Sequence, residues 1–256
     1  MKHSFLTKLL IYILFVFIIA VLGAGIMKTS CSSVYLLFQN IEFLDAIWFS
    51  LKTSLIATFL SFIVGVPSGL FLARNKGLFI GLLDAVFDIP MIVPPLVVGV
   101  FLLTFFNIPA IKQLYSFIFT MPGAVIAQFF VAVPLTIKSS KNAFELVSPA
   151  YEIVAMTLGS KPFKSFYDTT FKIAFSGILS GVILTWLRCM GEFGATLMVG
   201  GGIPFKTENV PINIYLNMTS GDFETGIAAS VVSIVIAFIC IILIKTILYL
   251  NQRRKT

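Results

Sequence analysis

Long uninterrupted apolar stretches alternate with short polar ones along the chain. The apolar runs cover roughly Leu6 to Met27, Ile47 to Ala73, Ala85 to Phe106, Phe117 to Ile137, Ala174 to Val199 and Gly226 to Leu250. Each is close to the ~20 residues that a helix needs to cross a bilayer. The pattern therefore predicts an all-α integral membrane protein with six spans and both termini on one side. Nothing in residues 1–256 reads as a separate soluble domain, an internal repeat or a low-complexity tract, so one transmembrane domain is expected.

Composition agrees. Apolar residues make up 58% of the 256 positions and charged residues only 11%, and the mean hydropathy is +1.02, far from the usual globular range. The formal net charge is +7. In a soluble protein that would suggest nucleic acid as a partner; here its placement explains it. Arg74, Lys76, Lys138, Lys141, Lys161, Lys164 and Lys172 join the basic termini on one side, while the other side keeps Lys28, Lys52, Lys112 and Lys206. The positive-inside rule then places both termini in the cytoplasm of a multi-pass protein of the cell membrane. The first run resembles a signal peptide in its basic flank and small-residue end, but its length suits a retained span. The three cysteines make no disulfide framework: Cys189 and Cys240 lie in apolar runs, and Cys31 reads as a lone thiol.

The interior loop from Lys138 to Lys172 contains a second kind of pattern. Ser148 suits an N-cap, Pro149 the first helical position and Gly159 a left-handed helix end, predicting a short helix from Pro149 to Leu158. Tyr151, Val154, Ala155 and Leu158 share one face of it, with Glu152 pointing away. Two uses of that stripe are open: packing on the cytoplasmic ends of the chain's own spans, or docking into a partner's groove with Glu152 as a polar anchor at the rim.

Charge inside a span is the third feature. In WLRCMGEFGATLMVGGG, Arg188 and Glu192 are four apart, so a continuous helix would put them on one face, Arg188 near mid-span and Glu192 about one turn nearer the exterior. A lipid-facing charge costs about 2.5 to 3.5 kcal/mol on insertion scales, so both should face the bundle or a pathway. The pair either fixes helix rotation or offers a passing anion a transient positive field. Gly191 and Gly194 permit close helix approach or a break, Gly200 to Gly202 a flexible span exit or gate hinge, and Pro90, Pro94 and Pro95 remove backbone donors early in the third span. GGGIPFKT ends in Lys206 and Thr207 as a phosphate-binding loop does, but Phe205 stands where glycine is required, so it is no ATP site. Neither a metal-ligand cluster nor a catalytic constellation is legible, and the terminal His3 supplies none.

Glu152, Ala155, Thr157, Leu158 and Gly159 resemble the interior-loop signature of ABC-transporter permease subunits, and they sit before the penultimate span as that signature does. Ile153, Val154, Phe171 and Lys172 depart from it. IPMIVPPLVVGV and MPGAVIAQFFVAVPL resemble the third and fourth spans of oxyanion permeases. GEFGATLMVGG followed by IPFKTE is similar to molybdate permeases and, slightly less, to tungstate and sulfate or thiosulfate permeases. The likeness runs from about Ser50 to Ser233.

This resemblance implies a type I ABC importer permease (MetI-like) fold and a homodimer with the pathway at its two-fold interface. It further implies two cytoplasmic ATPase subunits carrying ATP and Mg, with no cofactor in this chain, and an exterior oxyanion-binding protein. Tyr151, Glu152, Ala155, Thr157, Leu158 and Gly159 would couple to the ATPase; Pro90, Pro94, Pro95, Arg188, Gly191, Glu192 and Gly194 would line the pathway or its gate. The expected function is ATP-driven molybdate import by alternating access. Tungstate or sulfate import is the near alternative and a stand-alone channel or carrier the remote one.

Overall fold

The computed structural model describes residues 5–253; His3, Lys2, Arg254 and Lys255 lie outside them. The described residues are helical throughout their regular elements: α1 (Phe5–Lys28), α2 (Cys31–Gln39), α3 (Ile41–Arg74), α4 (Leu78–Ile92), α5 (Pro95–Phe106), α6 (Pro109–Leu114), α7 (Met121–Glu145), α8 (Ala150–Thr157), α9 (Pro162–Phe166), a π-helical turn (Tyr167–Phe171), α10 (Lys172–Met190), α11 (Gly194–Gly200), α12 (Val210–Ser220) and α13 (Phe223–Arg253). Among the described residues five stretches are long and apolar enough to span a bilayer: Thr7–Lys28, Ile41–Arg74, Met121–Glu145, Pro162–Met190 and Phe223–Ile242. A sixth is the pair α4 and α5, bent by 108°. The expected all-α membrane fold holds, with corrected span limits.

The corrections have physical causes. α7 continues past Ile137 to Glu145 because its polar last turns are neutralised: Lys138 Nζ lies 2.7 Å from Asp84 and 2.9 Å from Asp88, and Lys141 Nζ lies 2.7 Å from the other Asp84 oxygen. The helix outruns its apolar window, and hydropathy cannot see that. The next span likewise starts at Pro162 rather than Ala174, which leaves residues 146–161 as the loop proper. It ends at Met190 rather than Val199. The third apolar run breaks at Val93 and Pro94, where Pro94 and Pro95 supply no N–H to continue the helix. Pro90 stays inside α4.

Two compact units are present. One comprises the residues up to Leu44 and from Asn213 on; the other is Asp45–Ile212. In the first, α2 lies against α13, and the Ser33 hydroxyl donates to the Glu224 carboxylate. The apolar side chains along α1 are exposed, as lipid contact requires.

In the second unit, α7 is the central helix. Val98, Leu102 and Phe106 of α5 pack with Ala127 and Val131 of α7 and with Ala195 and Val199 of α11. Toward the other end of α7, Ala143 and Phe144 pack with Val66 of α3 and with Ala174 and Ile178 of α10. Between these clusters the helices are joined by hydrogen bonds. Gln128 Nε2 donates to Thr53 Oγ1 (3.1 Å), the Thr136 and Thr185 hydroxyls are 2.7 Å apart, and Trp186 Nε1 donates to Ser54 Oγ (3.1 Å). Apolar packing alone does not distinguish neighbours from lipid, so such bonds help to fix which helices meet. Cys31, Cys189 and Cys240 are free thiols, with only Cys189 fully buried.

Candidate pathway cavity and docking helix

The penultimate span stops because its backbone is captured from outside the helix. Gly191 ends α10, and the Glu192 carbonyl accepts from Asn209 Nδ2 at 2.7 Å. The Glu192 carboxylate then opens α11: its Oε1 accepts from the Ala195 N–H at 2.9 Å, an N-terminal capping bond. Arg188 Nη1 lies 2.6 Å from the second carboxylate oxygen. The predicted pair therefore forms, but not on one continuous helix and not at mid-span. Arg188 occupies the last turn of α10, and Glu192 lies in the break. The Glu192 side chain is 1% exposed, whereas Arg188 keeps 34% of its side-chain surface open.

That open guanidinium faces a cavity of about 240 Å³ lined by Pro94, Pro95, Leu96, Arg188, Gly191, Glu192, Phe193 and Gly194. Two broken helices thus meet with their breaks side by side. Of the residues expected at the pathway, Pro94, Pro95, Arg188, Gly191, Glu192 and Gly194 come together here; Pro90 is not part of the lining. The two glycines differ. A Cβ on Gly194 would lie 2.9 Å from the Leu96 amide nitrogen, so the close approach of α11 to α5 requires a hydrogen there. A Cβ on Gly191 would meet nothing nearer than the Leu187 carbonyl at 3.6 Å, so Gly191 serves the helix end rather than close packing.

The wall is mainly apolar and carries one half-open cation whose counter-charge is sealed behind it. Such a site offers an anion a single guanidinium in a nonpolar surround, a place to pause rather than a cage. Farther along, Gly201 and Gly202 take left-handed conformations, with the Phe119 ring seated on Gly201. Phe205 in this turn, and Phe119 in the segment before α7 whose N–H donates to the Val199 carbonyl, adopt φ near 59° without being glycine, so both places are strained. The Thr207 hydroxyl is spent internally, donating to the Gly200 carbonyl at 2.6 Å and accepting from the Ile203 N–H at 3.1 Å.

The loop helix α8 forms one residue shorter at each end than expected, with Pro149 at its cap and Ala150 N–H donating to Ser148 Oγ at 3.3 Å. Gly159 (φ 92°) closes it, and the Ser160 N–H donates to the Ala155 carbonyl at 3.0 Å. The orientation of its side chains decides which of the two faces meets the spans. Tyr151, Val154 and Leu158 are exposed, Leu158 by 82%, along with Ile153 and Met156 and the polar Thr157. Ala155 is half-buried. Glu152 lies on the side opposite the stripe: its carboxylate turns inward to Arg74 Nη2 at 2.8 Å and accepts from the Thr170 hydroxyl. The apolar stripe does not pack on the chain's own spans; the glutamate does.

Arg74, Thr170 and Asn209 are site residues that the sequence did not disclose. Arg74 was legible only as a flanking charge, and Asn209 carried no signal at all.

The family described as "Binding-protein-dependent transport system inner membrane component" matches residues 65–256, and the chain belongs to it. The chain is 32% identical over 203 residues to the molybdenum transport system permease protein ModB of Mycobacterium tuberculosis (strain ATCC 25618 / H37Rv), covering 77% of this chain and 76% of that one. It is 30% identical over 218 residues to ModB of Escherichia coli (strain K12), with 82% and 95% covered. Among solved structures, a bacterial ABC transporter that imports the acidic polysaccharide alginate superposes with a TM-score of 0.71 at 15% identity, over 97% of this chain and 95% of that one. The inward-facing MetNI methionine ABC transporter gives 0.64 at 16% identity, over 86% and 98%. At those identities the structures establish the fold alone, that of type I ABC importer permeases.

Proposed function

We propose that this chain is the membrane permease subunit of an ATP-driven importer that carries molybdate into the cytoplasm by alternating access. The observation that carries the reading is α8: a short helix with Tyr151, Val154 and Leu158 outward and no residue fully buried presents an apolar face of the kind that docks into a partner's groove. Two such chains form a homodimer around the pathway, and each α8 seats on one of two ATPase subunits. ATP and its Mg²⁺ belong to those subunits. Both termini lie in the cytoplasm, in keeping with the basic flanks, and an exterior binding protein delivers the anion.

ATP-driven closure of the ATPases moves the α8 helices together and shifts the spans from inward-open to outward-open; hydrolysis resets them. Nucleotide and binding protein drive the cycle by preferring different states. Molybdate, a tetrahedral dianion, passes the cavity beside Arg188, where one partly neutralised cation attracts it without holding it. The choice of molybdate over tungstate or sulfate is supported by the similarity to the molybdenum permeases.

Uptake of radiolabelled molybdate in cells with and without the gene tests this, with excess sulfate and excess tungstate as competitors. Gene-dependent uptake that sulfate leaves intact is expected. Uptake abolished by sulfate, or indifferent to the gene, would refute the substrate assignment.

A further inference from the structure

No residue of α8 is fully buried and only Ala155 among its apolar residues is half-buried, so apolar packing within the chain holds it weakly. Its attachments are polar and converge on Glu152. The carboxylate oxygen Oε1 accepts from Arg74 Nη2 at 2.8 Å and from the Thr170 hydroxyl. Arg74 Nη2 also reaches Thr170 Oγ1 at 3.4 Å, and its Nη1 donates to the Val147 carbonyl at 3.3 Å. The Glu152 carbonyl accepts from Ser165 Oγ at 2.7 Å.

The positions of these partners matter more than their number. Arg74 is the last residue of α3, Val147 follows α7, and the fully buried Thr170 sits in the π-helical turn that leads into α10. One carboxylate therefore ties the loop helix to the end of α3 and to the turn before α10, and through Arg74 to the chain that leaves α7. A π-helical turn is an irregular element in a helix and is common at functional places; here it supplies the hydroxyl that meets Glu152. The Arg74 and Glu152 side chains are each 25% exposed, so the pair is shielded enough to be strong and open enough to rearrange.

We propose that Glu152, Arg74 and Thr170 form the joint that passes displacement of α8 to α3 and α10, with Glu152 as a positioning residue held inside this chain rather than a contact made to the partner. The proposal rests on the reading of α8 as the docking helix and adds how its motion enters the membrane. The apolar face docks; the buried-side carboxylate transmits.

The test uses the full complex of this chain, its ATPase subunit and the binding protein in proteoliposomes, reading molybdate accumulated per ATP hydrolysed. Glu152→Gln keeps the side chain's size and removes its charge. It is expected to lower that ratio about tenfold, the scale of one charge-assisted bond, while ATPase subunit still co-purifies at the wild-type proportion. Arg74→Ala should do the same. The exchanged pair, Arg74→Glu with Glu152→Arg, should recover most of the ratio, which a merely local fold defect would not do.

An unchanged ratio in Glu152→Gln overturns the joint. So does loss of the ATPase subunit from that variant, because Glu152 would then act by docking. A wild-type complex that binds no ATPase subunit overturns instead the functional reading on which the joint rests.

Discussion

Replacing Arg188 with alanine is expected to destabilise the folded protein by about 3 kcal/mol, near the low end of the cost of stranding one member of a buried ion pair because Arg188 is itself partly open. The reason lies in Glu192. Its carboxylate is 1% exposed, with one oxygen capping α11 through the Ala195 N–H and the other facing Arg188 at 2.6 Å. Remove the guanidinium and a carboxylate is left in a dry place that already holds a helix break together. The double variant Arg188→Ala, Glu192→Gln should be more stable than the single one, since glutamine retains an oxygen for Ala195 and carries no charge to bury. Thermal unfolding in detergent, followed by monodispersity, compares the three proteins. Equal stability of the single variant and wild type would contradict the electrostatic account of the break. If the double variant folds and transports at the normal rate, the pair is architectural only and the anion does not use Arg188.

Leu158→Asp is expected to separate folding from assembly. Leu158 is 82% exposed and touches no core cluster, so the chain's own melting temperature should not move. Seated in a partner's groove, a leucine contributes about 1.5–3 kcal/mol by burial, and an aspartate there adds an uncompensated charge. Association with the ATPase subunit should therefore fall more than about tenfold, since each 1.4 kcal/mol is a factor of ten. Co-purification of the two subunits with a melting curve on the same sample measures both effects. A variant that keeps its ATPase partner would show that this face is not the docking surface; one that also unfolds would show that it packs internally.

The contrast between these sites explains what the sequence could disclose. The six apolar stretches, the loop helix and the ion pair are local signals, written within about twenty residues, and all are present. What local pattern could not show was anything decided by distant chain. WLRCMGEFGATLMVGGG reads as unbroken in hydropathy, yet α10 stops at Met190 because Asn209 takes the Glu192 carbonyl and the Glu192 carboxylate starts a new helix. Hydropathy weighs side chains and is blind to backbone hydrogen bonds. Helical spacing set Glu152 opposite the apolar stripe but left open which of the two faces meets the spans. Arg74, 78 residues earlier, decides it by drawing the carboxylate in. The prolines were legible as a disturbance of the third span, but the 108° bend follows from two consecutive missing donors and the packing of α5 on α7 and α11. Gly191 and Gly194 look alike in sequence and differ in structure, because only Gly194 meets a neighbouring backbone.

The central claim is that this chain works as one part of an ATP-driven importer for molybdate. Its most direct test is accumulation of radiolabelled molybdate in proteoliposomes containing the chain with its ATPase subunit, with ATP and binding protein supplied on opposite faces. The account predicts accumulation against a gradient only when chain, ATPase, ATP and binding protein are all present. Molybdate entry through the chain alone, or accumulation driven by an ion gradient without ATP, would contradict it.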